Sequence, residues 1–301
     1  MTSAARQGAR LFFHLILLFG FTQSAAAQIF PDTVYAWRKT AERVLAPEEW
    51  KTALGNRAAA LEAFGTTEFR VINLFREGKN VRIEIALLPS RERAFGLFRS
   101  LSDAGTVNGI VGDAFAYERS AVNVNTGPYY FRIVSEEKRA AQPPDEALVL
   151  RTRRVLYTKA DCYGSDFPLP TDERVLGSER YLVPDEEVWQ VFRTRVPEGL
   201  LPVLSTHAAF TAEYEKPHAG VRRTLMLFPF RQKDAAAAFA AELVQQLEAR
   251  AGSRSEACAI PAFVRGGVQR VIAADATRVF LIISDSGDSG CCEWARSLLR
   301  R

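Results

Sequence analysis

Histidine and cysteine are scarce in this 301-residue chain, at three and four residues, and its body has no long apolar or basic run. Each shortage closes off a class of chemistry. Beyond Ala27 only His207 and His218 remain, well separated in the chain. Zinc calls for thiolates and imidazoles at short paired spacings, so no metal site is expected. There is no Cys-x-x-Cys pair, which removes the usual mark of a thioredoxin-like redox centre. No glycine-rich phosphate loop or dinucleotide fingerprint is present, so no nucleotide cofactor is expected. The formal charge is only +4, without the concentrated basic face that a phosphate backbone requires, which excludes a nucleic-acid partner. Four cysteines are few for this length, so a hydrophobic core must do most of the stabilising. A chain that is 48% hydrophobic and 25% charged can supply one, because that is the balance of an ordinary globular protein.

What the chain does have begins with an address. Arg6 and Arg10 precede the apolar run Leu11 to Phe19, and Ser24-Ala25-Ala26-Ala27 supplies small residues of the A-x-A kind. That pattern is a secretory signal, residues 1–27, cut after Ala27 to leave Gln28 first. The run is short for a bilayer span, which needs about 20 residues. Removal takes two arginines and no acids, lowering the net charge from +4 to +2. The mature chain is expected to be soluble, without a stable membrane anchor, and periplasmic or secreted.

An internal echo sets the fold expectation. Leu87-Leu88-Pro89-Ser90-Arg91 recurs in the second half of the chain as Leu227-Phe228-Pro229-Phe230-Arg231. Before the first copy, Val81, Ile83, Ile85 and Leu87 alternate onto one strand face; Val221 to Phe228 reads as a comparable strand. After each copy the period becomes helical, with Ala94, Phe95, Phe98 and Leu101 as one stripe and Ala235, Phe239, Leu243 and Leu247 as the other. Residues 69–75 and 210–215 read as strands upstream of each unit. Residues 115–124 and 129–134 read as a hairpin downstream of the first, and 263–273 and 279–283 as its counterpart. Helical patterns at 145–156 and 293–299 close the two units. Each half thus reads strand-strand-helix-strand-strand-helix. The expected class is α+β: two similar halves from internal duplication, each an antiparallel sheet with helices on one face. The boundaries are 28–158 for the first half with its N-terminal helical stretch from Pro47 to Phe64, 159–197 for a connector carrying a short helix from Asp185 to Phe192, and 198–301 for the second half. Residues 140–144 read as a plain loop.

Gly287-Asp288-Ser289-Gly290 is the tetrapeptide around the nucleophile of chymotrypsin-like serine proteases. A hydroxyl nucleophile needs an imidazole base and a carboxylate to orient it. Neither His207 nor His218 lies in the setting that family places around its base, and Cys291 stands where a second glycine would follow. The stretch falls between a strand and a helix, where Gly, Asp and Ser serve turns and an N-cap. A loop is the expected role, and no catalytic residue is assigned. A hydrolase with a non-obvious site stays open, with Ser289, His207 and Asp288 as its motif-supported residues.

Cys291 and Cys292 point about 100° apart at a helix start, which suits two separate partners. Disulfides from the C-terminal helix to Cys258 and Cys162 are expected in an oxidising compartment. A redox-active Cys291/Cys292 pair is the functional alternative. Glu213 and Glu215 share a strand face and read as solvated rather than as an acid–base pair. Tyr129, Tyr130, Phe131, Trp189 and Trp294 read as core or sheet cover rather than a ligand cleft. Asn123 and Asn125 suit either a polar ligand or the hairpin approaching Gly127-Pro128.

The run Val175-Leu176-Gly177-Ser178-Glu179-Arg180-Tyr181-Leu182-Val183, after Leu169-Pro170, resembles a signature of an exported bacterial family known only as a domain of unknown function. Arg93 to Phe98 and Ala235 to Phe239 resemble its two helices. The resemblance implies a duplicated α+β fold and an exported location, and it carries no activity. The functional expectation is an exported binding or interaction protein for a protein or small-molecule ligand. The junction of the two halves is the first place to seek a cleft.

Overall fold

The computed structural model describes residues 30–102, 107–110, 113–118, 120–136, 145–157, 168–175, 178–197, 199–216, 221–250, 253–254, 260–284 and 290–300. The N-terminal leader, the 140–144 loop, Cys162, His218, Cys258, Asp288 and Ser289 fall outside them.

Antiparallel pairing builds one eight-stranded and one seven-stranded sheet. The first half runs β1 (Thr33–Val34), β2 (Trp37–Leu45), α1 (Pro47–Leu54), α2 (Arg57–Ala63), β3 (Glu68–Arg76), β4 (Lys79–Leu87) and α3 (Arg91–Leu101). It continues through β5 (Val107–Ile110), β6 (Asp113–Tyr117), β7 (Ala121–Thr126), β8 (Tyr129–Ser135) and α4 (Glu146–Tyr157). Its strand order is β1-β2-β3-β4-β8-β7-β6-β5. The second half runs β9 (Arg180–Leu182), α5 (Glu186–Trp189), a 3₁₀ turn (Gln190–Phe192), α6 (Leu201–Leu204), β10 (Ala209–Lys216), β11 (Val221–Pro229) and α7 (Lys233–Arg250). Then come β12 (Ser253–Arg254), β13 (Ala262–Arg265), β14 (Val268–Ala274), β15 (Arg278–Ser284) and α8 (Gly290–Leu298), in sheet order β12-β13-β14-β15-β11-β10-β9.

The two halves correspond element by element: β3-β4-β8-β7-β6-β5 has the same order as β10-β11-β15-β14-β13-β12. Leu87 lies opposite Tyr129, and Leu227 opposite Phe280. The spacing between corresponding positions therefore widens across the intervening helix, in large part because α7 has 18 residues and α3 has 11. Four strands follow each of these helices where the sequence pattern suggested two. Residues 115–124 break into β6 and β7 around a turn closed by Glu118 N–H to the Ala121 carbonyl. Residues 263–273 break into β13 and β14 at Gly266-Gly267. Residues 180–196, expected as connector, belong to the second half: β9 pairs with β10 as the edge of its sheet.

Local chemistry accounts for the boundaries. Pro47 opens α1, where its missing N–H has no helical partner to lose. The Glu49 carboxylate accepts from the Ala46 N–H, and Ser90 Oγ accepts from Arg93 N–H to start α3. Glu77 and Gly78 both take positive φ between β3 and β4, as a two-residue type I′ hairpin turn needs.

Each sheet carries apolar side chains on both faces, so each half has two core layers. In the first, Phe69, Ala86 and Tyr130 pack under α1–α3, whereas Ile83, Ile85, Val124, Phe131 and Ile133 pack on the other face with Leu148, Val149 and Leu156 of α4. In the second, Met226, Phe228 and Leu281 lie under α5–α7, and Leu225, Val271 and Ile282 meet α8. The expected one-sided helical layer holds for α1–α3 and α5–α7; the last helix of each half covers the opposite face. No helix among the described residues is long and apolar enough to cross a membrane.

Candidate functional site

The helical layers of the two halves meet along β9 and α5. Val183 of the second half is buried in the core under α1–α3, and Val188 touches the helical cores of both halves. The contact is close because α3 carries Gly96 at its centre. A Cβ there would lie 2.5 Å from the Tyr181 carbonyl oxygen and would overlap the Phe64 ring. The corresponding residue in α7 is Ala236, also fully buried.

Beside this seam the packing opens into a cleft of about 300 Å³. Ala59, Ala60 and Ala63 of α2 line one side, and Gly96, Arg99 and Ser100 of α3 the next. Arg180, Tyr181 and Leu182 of β9 face them, with Asp185, Val188 and Val191 at the α5 end. Small side chains on α2 leave the space; larger ones at the same positions would fill it. The volume equals about ten water molecules at about 30 Å³ each, at the small end of ligand cavities.

Two guanidiniums enter this apolar setting. Arg99 is 2% exposed; burial, aided by the Arg180 charge, pushes it down to about 10. It stays cationic at neutral pH. Burial also lowers Arg180, which Glu213 partly offsets and Arg195 reinforces. The nearby acids have other bonds: Glu213 is 2.7 Å from Arg195 and Glu179 is 3.0 Å from Arg174. Asp185 caps α5 by accepting from Val188 N–H, and Glu187 is exposed. A second, more open recess of about 500 Å³ near Tyr35, Arg151 and Arg154 differs in kind, because its arginines are more exposed and solvated.

The residues singled out by sequence fall elsewhere. Asn125 donates to the Gly127 and Tyr129 carbonyls, holding the β7–β8 hairpin. Asn123 donates to Glu118 and accepts from the Tyr130 hydroxyl at 2.8 Å, while Arg132 pairs with the same glutamate. Burial raises the Tyr130 phenol, which keeps it a donor there. Trp189 stacks on Phe228 and donates to the Val183 carbonyl, and Trp294 meets Tyr214 edge-on under the Arg223 guanidinium. These aromatics are core and cover, as expected. Glu213 is on an interior strand, bonded to Arg195, and Glu215 lies 3.8 Å from Arg222; they do not converge on a cavity.

His207 packs against Phe230 and Phe239, with Nδ1 2.7 Å from Thr206 Oγ1. Phe230 is tied to Thr277, just before β15. The protease-like stretch instead follows Ser284 at the other end of β15, and Cys292 just beyond it lies 3.6 Å from Gln269, the residue paired with Ser284. A seven-residue strand is about 20 Å long, so the described residues flanking the motif stand well away from His207. Among the described residues no cluster of three His, Cys, Asp or Glu side chains could hold a metal.

Burial lowers the His207 pKa, so folding favours the neutral ring. Its contribution is present above the unfolded value of about 6.5 and is lost as pH falls through the lower folded value. Urea midpoints are therefore expected to drop less from pH 7.5 to about 5 in His207→Phe than in the wild type. Equal drops would contradict an imidazole held neutral by its partial burial against Phe230 and Phe239.

Motif reasoning does not reach the arginine pair: Arg99 belongs to no short pattern, and the 175–183 run that contains Arg180 carries no activity. A signal did exist for Arg99: it stands four residues after Phe95, on the apolar stripe of α3, where a charge is costly without a purpose. No known family model and no curated protein matches the chain.

Proposed function

We propose that the chain is an exported, soluble binding protein, built from a duplicated α+β unit, whose ligand seat is the cleft between its halves. The observation that carries this is the cleft's construction: α2 and α3 of the first half and β9 and α5 of the second each supply walls. A ligand there would bridge the halves and would be sensed by both. Duplication is supported by the matching strand order and by a shared device. Arg57 of the first helical insert bonds Glu84 on β4, and Arg195 of the second bonds Thr224, the counterpart of Glu84 on β11. In the second half the carboxylate comes from Glu213, which pairs with Thr224 across the sheet. Export is supported by the charged, apolar and small-residue order of the segment from Met1 to Ala27. A bridge from Cys292 to Cys162 or Cys258 would tie α8 down. It is supported by the oxidising compartment that such a leader implies and by the burial of Cys292 in the core that α8 meets.

The test is native mass spectrometry of protein exported in a bacterial host. The expected result is a chain beginning at Gln28 that retains surplus mass, with Cys292 unmodified by alkylation without reduction. Ala59→Trp, which fills the cleft from its exposed side, is expected to lose the surplus. Surplus mass that survives Ala59→Trp would move the ligand seat elsewhere, and a chain still beginning at Met1 would sink the export reading.

A further inference from the structure

We infer that the cleft takes a small amphipathic anion, its carboxylate or phosphate head held by Arg180 and Arg99 and its apolar body lying against the alanine face of α2. This deepens, and rests on, the reading of the cleft as a ligand seat.

Among the described residues the Arg180 guanidinium makes no hydrogen bond or ion pair, although the side chain is half-buried in the cleft wall. A guanidinium in such a place is costly unless a partner arrives. Three of the nearby acids are committed, Glu213 to Arg195, Glu179 to Arg174 and Asp185 to the Val188 N–H, and the fourth, Glu187, is exposed to water at the α5 end. Arg99, buried in the same lining, adds a second positive charge. Two like charges close together in low dielectric repel, and a single anion shared by them would relieve both. Guanidiniums also match the planar carboxylate and the phosphate fork. The rest of the surface is the wrong material for a wholly polar ligand. Ala59, Ala60, Ala63, Leu182 and Val188 offer methyl groups, and Val191 at the mouth is 54% exposed. An ion without an apolar body would leave that surface wet.

The experiment is isothermal titration of the full mature chain with octanoate, 1-octanol and inorganic phosphate, repeated on Arg180→Gln, Arg180→Lys and Ala59→Trp. The wild type is expected to bind one octanoate, with octanol and phosphate each at least about tenfold weaker, the value of a charge-assisted hydrogen bond. Arg180→Gln is expected to lose about tenfold for octanoate while leaving octanol unchanged, and Arg180→Lys to recover part of that loss. Ala59→Trp is expected to abolish both. Equal binding of octanoate and octanol, indifferent to Arg180→Gln but abolished by Ala59→Trp, would overturn the anion and keep the cleft. Phosphate binding as tight as octanoate would overturn the amphipath. No saturable binding of octanoate at millimolar concentration would overturn the anion outright. Octanoate binding that ignores Ala59→Trp would overturn the cleft itself. Circular dichroism of each variant separates lost binding from lost fold.

Discussion

Replacing Glu84 by leucine is expected to destabilise the protein by about 3 kcal/mol, the lower end of the cost of breaking a buried ion pair from one side. Glu84 is 1% exposed; its two oxygens accept from both terminal nitrogens of Arg57, and it forms an ion pair with Arg82 at 3.1 Å. Without the carboxylate, Arg57 is left beneath the helical layer with its charge uncompensated. The cost sits at the lower end because Arg57 and Arg82 keep 26% and 36% of their side-chain surface and can partly turn to water. The double variant Glu84→Leu/Arg57→Leu is expected to recover most of the loss, since both buried charges then go together. Thr224→Val, at the corresponding position of the second half, is expected to cost only about 1 kcal/mol, one hydrogen bond, because Glu213 still holds Arg195. Urea unfolding of the four proteins is the measurement. A Glu84→Leu variant within about 0.5 kcal/mol of wild type, the range of ordinary surface changes, would show that the pair bears no weight.

Glu84 also marks where the sequence pattern stops being informative. Alternation along 81–87 put Val81, Ile83, Ile85 and Leu87 on one face, and all four pack on the α4 side of the sheet. Period two cannot say whether the opposite face is wet, and here α1–α3 cover it, burying Glu84 and Ala86. The same limit hid the extra strands. A turn inside a strand-like run reverses the chain without changing its composition, as at Gly266-Gly267 between β13 and β14. The matching strand order of the two halves, in contrast, was legible, because Leu-x-Pro-x-Arg before a change from period two to period 3.6 is a long-range pattern. So was the junction as a place to look, since two similar halves must meet somewhere. The contents of the cleft were not. Ala59, Arg99 and Arg180 come from three separate elements, and only tertiary packing makes them neighbours. Arg180 lies within the stretch 175–183 that carries the family resemblance, yet nothing local to it marks a desolvated charge.

That packing turns on one residue, and its replacement is the second large effect expected. Gly96→Ala should gain about 1 kcal/mol of helix propensity in an unconstrained α3, yet it is expected to destabilise the protein by about 1–3 kcal/mol net, the range for overfilling a close-packed contact. The added methyl would meet the Tyr181 carbonyl oxygen at 2.5 Å. That oxygen belongs to the backbone of β9, whose neighbours are fixed by pairing with β10, so it cannot swing aside as a side-chain tip could. The Phe64 ring on the other side is buried at 1% exposure and has nowhere to turn. Relief therefore requires β9 to withdraw from α3, which loosens the seam between the halves. Denaturation by urea is expected to show this twice: as a lower midpoint, and as a smaller slope or a split transition once the halves no longer unfold together. Ala236→Gly in α7 supplies the opposite comparison, an expected loss of about 1 kcal/mol from propensity alone with the single transition kept. If Gly96→Ala were instead as stable as the wild type, β9 would have to yield freely, and a wall that yields freely could not hold Arg180 in place for a ligand.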